Sequence, residues 1–469
     1  MTQGYAKAML TDQIAPAPTG WVRPPEWLAM PTVNSGDQKI CILFAVFEGV
    51  QNWFTINVAG AYSIDYGDGA GATNVASGTT SSKVLAWADY ASSPLTAEGA
   101  RQALITVTMQ AANNLTSVSF NNKHASAGSA SYCDGLLDIV MAGSNLSSLT
   151  LGNASGFTHN RLQRFKYVGT HALTTMANGL KLLANLRSVE MAVASITSFA
   201  ATFDTCSTLV EVTLTGSTAA VTAWNSAFTN CGCLSTLNAT FDMTSCTNAL
   251  SMFNGCSKLT SVTLSNTASV TTFNAAFNGC ANLTSMTLDM TACTDATSMF
   301  NACLRLTAVT LTNTGSVTTW ANAFAGCVSL TAGPTLTTTP ATNMSAMFQG
   351  CTSLASIPTY STANVTNWAS FLASCGALIT VPALNQAAGT SFANVVQNCS
   401  SLQSYLATGA RFNISMPAAN QLNAAALDAM YTALGTASGS QTVTVTGSPG
   451  ITGDTPSIAT SKGWTVSGS

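Results

Sequence analysis

Residues 277–288 read Phe277-Asn-Gly-Cys280-Ala-Asn-Leu283-Thr-Ser-Met286-Thr-Leu288, and the same string recurs along the chain with small changes. Cys stands at Cys206, Cys231, Cys256, Cys280, Cys303, Cys327, Cys351, Cys375 and Cys399, in steps of 25, 25, 24, 23, 24, 24, 24 and 24. Three residues after each comes a Leu: Leu209, Leu234, Leu259, Leu283, Leu306, Leu330, Leu354, Leu378 and Leu402. Three residues before the first seven lies a Phe, from Phe203 to Phe348. The end of the unit, L-x-x-V-x-L, alternates as a short β-strand does, so Val and the last Leu share a face. One strand cannot bury that face, but stacked coils can, and the pattern predicts a solenoid.

A longer period lies inside the first. Met243-Thr-Ser-Cys246-Thr247 recurs as Met290-Thr-Ala-Cys293-Thr294, 47 residues on, so coils alternate between two flavours. Pro334, Pro358 and Pro382 mark the last coils. Upstream, Asn114-Leu-Thr-Ser-Val-Ser-Phe120, Asn145-Leu-Ser-Ser-Leu-Thr-Leu151, Arg161-Leu-Gln-Arg-Phe165 and Asn185-Leu-Arg-Ser-Val189 are read as the same strand without the Cys. The expectation is about 13 coils over residues 110–410, degenerate over 110–200 and regular over 201–410, with a period in the leucine-rich-repeat range. Segments such as Ser251-Met-Phe-Asn-Gly-Cys256 are expected to return the chain as a short helical turn ended by Gly.

The flanks differ. Residues 1–36 hold Pro16, Pro18, Pro24, Pro25 and Pro31 with Trp21 and Trp27. This is too rich in proline for a helix, and reads as an extended docking arm with Trp21, Pro24, Pro25 and Trp27 at its centre, or else as an arm folded back on the sandwich to close its edge. Residues 37–109 carry five strand signals, Lys39 to Phe47, Trp53 to Val58, Tyr62 to Tyr66, Lys83 to Trp87 and Ala103 to Met109, and read as a small β-sandwich. Residues 411–469 read as an α/β cap, with a helix over Ala418 to Leu434, a strand over Thr442 to Thr446 and a helix-to-strand unit from Ser457 to Val466. The fold class is therefore mainly β with short helices: a solenoid, a sandwich before it and a cap after it.

Composition narrows the function. Only 7% of the 469 residues are charged and the net charge is −3, which leaves no electrostatic footprint for nucleic acid or acidic membrane. Three His and few carboxylates argue against acid–base catalysis. No apolar run approaches the roughly 20 residues a spanning helix needs. Met1 to Leu10 has no apolar core and reads as lacking a secretory signal.

The candidate chemical sites each have a plainer reading. The Cys column would point its side chains in parallel, which suits a buried ladder of small apolar groups better than disulfides or a metal. Asp65-Tyr-Gly67-Asp68-Gly69 could hold a cation, but reads as a tight turn. His124, His159 and His171 have no nucleophile partner pattern. Asp134 and Asp138 read as a solvated loop. Asp242 and Asp289 could be imagined as a glycosidase pair, yet they are repeat equivalents 47 apart. The Phe column, and Trp224, Trp320 and Trp368 beside it, read as core.

The coils resemble the bacterial surface-antigen (BspA-like) leucine-rich repeat family, most closely at Ala346-Met-Phe-Gln-Gly-Cys-Thr-Ser-Leu-Ala-Ser-Ile-Pro358. Tyr62-Ser-Ile-Asp-Tyr-Gly-Asp-Gly69 resembles the turn of polycystic-kidney-disease-like (PKD-like) sandwich modules. With the Trp27-Leu-x-x-Pro31 arm and the ending Ala459-Thr-x-Lys-Gly-Trp-x-Val466, the whole looks like structural proteins of tailed-bacteriophage virions. That resemblance implies a non-enzymatic virion protein (fibre, tail or capsid surface) used for host attachment or decoration. Its implied partners are other virion proteins, through the N-terminal region, and a host-surface glycan or protein. It implies no cofactor, nucleic acid or membrane, and self-association stays open. A bacterial cell-surface adhesin is the alternative, and a glycan depolymerase a more remote one.

Overall fold

The structure is a computed structural model that describes residues 20–121, 135–151, 159–416 and 420–468. It is a mainly β solenoid of about 13 turns with a few short helices. The chain divides into two units, residues 1–245 and 246–469.

The first unit is built on two sheets. The strands of these two sheets are β1 (Lys39–Val46), β2 (Asn52–Val58), β3 (Tyr62–Asp65), β4 (Thr73–Val75), β5 (Thr80–Leu85), β6 (Arg101–Met109), β7 (Ser117–Ser119), β8 (Leu136–Ala142), β9 (Ser148–Thr150), β10 (Arg164–Tyr167), β11 (Ser188–Ala192), β12 (Glu211–Thr215) and β13 (Thr236–Asn238). Nine join in the order β13-β12-β11-β10-β8-β1-β6-β3-β4, and four in the order β5-β2-β7-β9. The strands expected at 37–109 are present, but they do not close on themselves. β1 pairs antiparallel with β6 on one side and with β8 on the other, and from β8 onward each coil strand pairs parallel with the next. The boundary expected at 109 is thus crossed by both sheets, since β2 likewise pairs with β7. The cause is physical: stacked coils leave an open sheet edge at their start, and β1 supplies its missing partner.

Two of the four degenerate motifs also lie elsewhere than expected. Arg161–Phe165 and Asn185–Val189 feed β10 and β11 in the large sheet, whereas Asn114–Phe120 and Asn145–Leu151 feed β7 and β9 in the other. An L-x-S-[VL] alternation buries its apolar residues equally well on either sheet, so the motif alone does not say which.

The arm is a further correction. Trp27 is only 6% exposed and packs with Leu43, Ala45, Ala100 and Leu137. Arg23 reaches Asp138 at 2.8 Å and also donates to the carbonyls of Trp27 and Leu28. Gln102 accepts from Leu28 N at 2.8 Å and donates to Glu26 O at 2.9 Å. Residues 20–33 are therefore part of the first unit's packing, which withdraws Trp27 as a docking residue. Trp21 is half-buried against Trp27, Pro24 accepts the Trp27 amide, and Pro25 is exposed.

In the second unit the strand side of the coils is clearest at Ser285–Asp289 with Ala308–Thr312 and at Thr380–Asn385 with Ser404–Thr408. Between them only single bridges remain, Ala332 to Ser356 to Thr380. Pro334 and Pro358 explain this, because each removes a ladder amide. The return side is not a helix. Ser251, Phe253 and Gly255 donate their amides to Asn274, Ala276 and Asn278 of the next coil at 2.9, 2.7 and 2.7 Å. Met252, Asn254 and Cys256 donate instead three residues back. A left-handed residue stands at each end, Ser251 (φ 52°) and Gly255 (φ 78°), and the pair recurs from Ala275 and Gly279 to Asn394 and Asn398. An α-helix would keep these amides within the coil, whereas this turn spends half of them on the stack.

The cap holds one helix of note, Ala424–Ala433, which starts later than expected because Asn423 caps it by accepting Ala426 N at 2.9 Å. Lys462 donates to the carbonyls of Tyr431, Thr432 and Leu434 at the helix's other end. Trp464 Nε1 donates to Gly435 O at 2.8 Å. The Lys-Gly-Trp ending is thus a helix C-terminal clamp.

Candidate binding face of the coils

Every Cys and Leu of the ladder is buried. The thiols are more than small apolar fillers. Cys206 Sγ donates to Leu180 O at 3.0 Å and Cys231 Sγ to Phe203 O at 3.1 Å. In the second unit Cys280, Cys303, Cys327, Cys351 and Cys375 reach Phe253, Phe277, Phe300, Phe324 and Phe348 at 3.0–3.2 Å, and Cys399 reaches Leu372 at 3.2 Å. Each acceptor sits three residues before the Cys, or Cys equivalent, of the previous coil. Burial pushes Cys206 and Cys399 up to about 12, and Cys280, Cys303, Cys327, Cys351 and Cys375 higher still, so these seven thiols stay protonated donors. All the described cysteines are free. The Phe column stacks beside them, with ring centroids 5.4–5.8 Å apart from Phe253 to Phe348. Trp224, Trp320 and Trp368 are core as expected.

The sequence reading missed the most regular exposed feature. In the second unit Thr247, Thr271, Thr294, Thr318, Thr342, Thr366 and Thr390 form an exposed column. Each hydroxyl from Thr271 onward donates to the backbone carbonyl of the Thr before it, at 2.8–3.4 Å. Thr174, Thr197 and Thr222 do the same in the first unit. The next residue in each coil carries a side chain that accepts the amide two residues on: Asn248, Thr272, Asp295, Thr319, Asn343 and Asn367. This turn chemistry opens the left-handed segment. The signal was present as a Thr-[Thr/Ser/Asn/Asp] pair every 23–25 residues.

The other candidates resolve individually. Asp65 accepts Gly67 N at 2.8 Å and Asp68 accepts Ala70 N at 3.1 Å, while Asp68 also pairs with Lys83. That lysine holds the Asp68 carboxyl below its usual range. Gly67 (φ 70°) must be Gly, since a Cβ there would lie 2.6 Å from Leu104 O. This is turn geometry. Asp242 and Asp289 each accept the amide and hydroxyl of the Thr two residues on, at 3.0 and 2.6 Å. Asp138 corrects the sequence reading: it is fully buried in β8, between Arg23 and Arg164 at 2.8 Å each. Asp134 and His124 lie outside the described residues. His159 is buried beside Asn121. His171 is buried too, donating from Nε2 to Ala192 O at 2.8 Å and accepting Leu173 N at Nδ1, and burial lowers its pKa. Among the described residues no three His, Cys, Asp or Glu side chains converge on a metal position.

Residues 182–294 and 271–403 match the BspA type leucine rich repeat region, in six copies. These coils are BspA-type leucine-rich repeats. No curated protein matches the chain. Among solved structures, a leucine-rich cell surface protein of Faecalibacterium prausnitzii is 17% identical over 65% of this chain and 90% of its own, with a TM-score of 0.29. A leucine-rich repeat protein of Bacteroides ovatus is 13% identical over 71% and 90%, with a TM-score of 0.33. Over the BspA-type coils from 246 to 410 the charged residues are Lys258, Asp289, Asp295 and Arg305, so their exposed face is close to neutral. Among the described residues no helix is long and apolar enough to cross a membrane.

Proposed function

We propose that this is a non-enzymatic attachment protein, displayed on the outside of a particle or cell, whose BspA-type coils present a neutral hydroxyl- and amide-rich face to a glycan or protein. The exposed Thr column, repeated coil after coil and free of charge, is the observation that carries the reading. Such a face forms many weak polar contacts along one direction, and repetition supplies avidity. Because charge is scarce, association should depend little on salt. The phage-like N-terminal and C-terminal motifs support a tailed-phage virion as the carrier, joined through other virion proteins at the N-terminal region. The BspA-type match supports a bacterial cell surface instead. Mass spectrometry of purified virions and of surface-shaved cells separates the two. Retention of the intact chain on immobilised host-surface glycans and proteins tests attachment itself. Binding to neither, at low and at high salt, overturns it.

A further inference from the structure

Residues 20–37 lie against the large sheet without joining it. Among the described residues this stretch forms no strand, and none of its backbone groups bonds to the backbone of the sheet. Phe44 of β1 faces the other sheet, with its ring 5.8 Å from that of Phe54, so Cys41, Leu43 and Ala45 point to the opposite face. The arm covers that face and is held there at three places, each through side chains. Arg23 pairs with Asp138 at 2.8 Å. Trp27 packs on Leu43, Ala45 and Leu137, and Gln102 bonds the backbone beside it at Leu28 N and Glu26 O. Val33, with Met30, packs on Cys41, Val140 and Ala142.

An exposed turn follows, in which Asp37 N donates to Asn34 O at 3.0 Å and Asn34 N to Asp37 Oδ2 at 2.7 Å. Behind the turn the attachment changes in kind. Gln38 O accepts Met109 N at 3.0 Å. From there β1 is paired with β6 from Lys39–Thr108 to Val46–Arg101, and with β8 from Lys39–Ala142 to Phe44–Leu136. A pull from the N-terminal side therefore meets two attachments in turn. The arm's anchors lie one after another along an extended chain, so they are loaded singly and part singly. β1 is bonded on both edges and buried from Ile40 to Val46, so it leaves only when two ladders and its packing break together.

We propose that residues 20–37 are a releasable strap. Under tension between the N-terminal region and the coils it peels from the sheet by itself, lengthens the link, and returns when the load falls, while the sheet stays closed. The inference rests on the attachment reading for its load: a carrier holds one side and a host surface the other. Fully extended, residues 20–37 span at most about 65 Å. Pro24, Pro25 and Pro31 limit the conformations open to the freed chain, which favours its return. Peeling also bares Leu43, Ala45 and Leu137, and covering them again draws the arm back.

Single-molecule pulling on the intact chain provides the test. One handle is placed at the N-terminus and the other on a bio-orthogonal side chain introduced at exposed Ala194, so that both lie in the first unit. A reversible lengthening of at most about 65 Å should come first, at lower force than the rupture that frees β1. Trp27→Ala should raise the open fraction at a given force about a hundredfold or more, or leave the arm open from the start. Arg23→Met should raise it about tenfold. In both variants the β1 rupture should stay at the parent's force, which also shows that the sheet has folded. A single rupture in the parent, a first step that neither substitution shifts, or a β1 rupture that shifts with it overturns the strap. The measurement needs no binding partner, so the two readings fail separately. If the arm peels as described and the chain attaches to nothing, the attachment reading falls and the strap remains. If the chain attaches while arm and sheet part together, the strap falls and the attachment reading remains.

Discussion

Cys280 Sγ donates to the carbonyl oxygen of Phe253 at 3.2 Å, and the same oxygen accepts the amide of Cys256 at 3.0 Å. One carbonyl thus ties a turn within its coil and ties that coil to the next. Cys280→Ser keeps a donor of similar size and should cost about 1 kcal/mol or less. Cys280→Val fills the space but leaves the carbonyl one partner short, for about 1–3 kcal/mol. Cys280→Asp buries an unpaired carboxylate and should cost several kcal/mol. Urea unfolding of the three variants checks the order. A Val variant as stable as Ser would mean the thiol is only a filler.

The same thiols set an alkaline limit. Burial raises their pKa from 9.0 to about 12 or above, as for Cys206 and Cys399. The unfolded chain therefore loses these protons first. Stability is fully present below about pH 9 and falls as pH rises toward 12, by about 1.4 kcal/mol per unit for each thiol. Melting temperature should drop steeply over that window, and less steeply in a Cys280→Ser/Cys327→Ser variant. At neutral pH, site-resolved alkylation should find half-buried Cys233 modified well before the ladder.

How much of this was legible in the sequence depended on range. The Cys-Leu-Phe period is local in each coil, so the solenoid could be read directly. The left-handed pairs were hidden, because Ser251 or Ala275 at positive φ carries no Gly to mark it. Asp138 was misread since its partner Arg23 lies 115 residues away, and an Asp within Leu136–Met141 has no local sign of being paired. The fusion of β1 with β8 is equally non-local.

His171 should make the first unit sensitive to acid. Burial holds its pKa below the usual 6.5 of a free imidazole, so the unfolded state takes up a proton that the folded state refuses. The unfolded state then binds more protons, and stability falls as pH drops below about 6.5, by up to about 1.4 kcal/mol per unit until the folded imidazole titrates. His171→Gln should lower stability at pH 7, since it disturbs the bond to Ala192 O, yet flatten the slope between pH 6.5 and pH 5. Equal slopes in parent and variant, from chemical denaturation at several pH values, would place the acid sensitivity elsewhere.

Residues 20–33 should behave as structure when they are removed. Deleting residues 1–36 uncovers Leu43, Ala45 and Leu137, which Trp27 covers, and takes Arg23 from the buried Asp138. Arg164 still pairs with Asp138 at 2.8 Å, so the carboxylate keeps one partner and the ionic loss is partial. Loss of the Trp27 packing alone corresponds to about 3–5 kcal/mol. The truncated chain should therefore melt several degrees lower and expose new apolar surface to a hydrophobic dye. The Arg23→Met variant isolates the ionic part and should lose about 1–3 kcal/mol. Asp138→Ala removes the shared acceptor of two arginines and should cost about 3–5 kcal/mol. If the truncated chain keeps the parent's midpoint and dye response, Trp27 contributes no packing, and the arm's role returns to docking on another body.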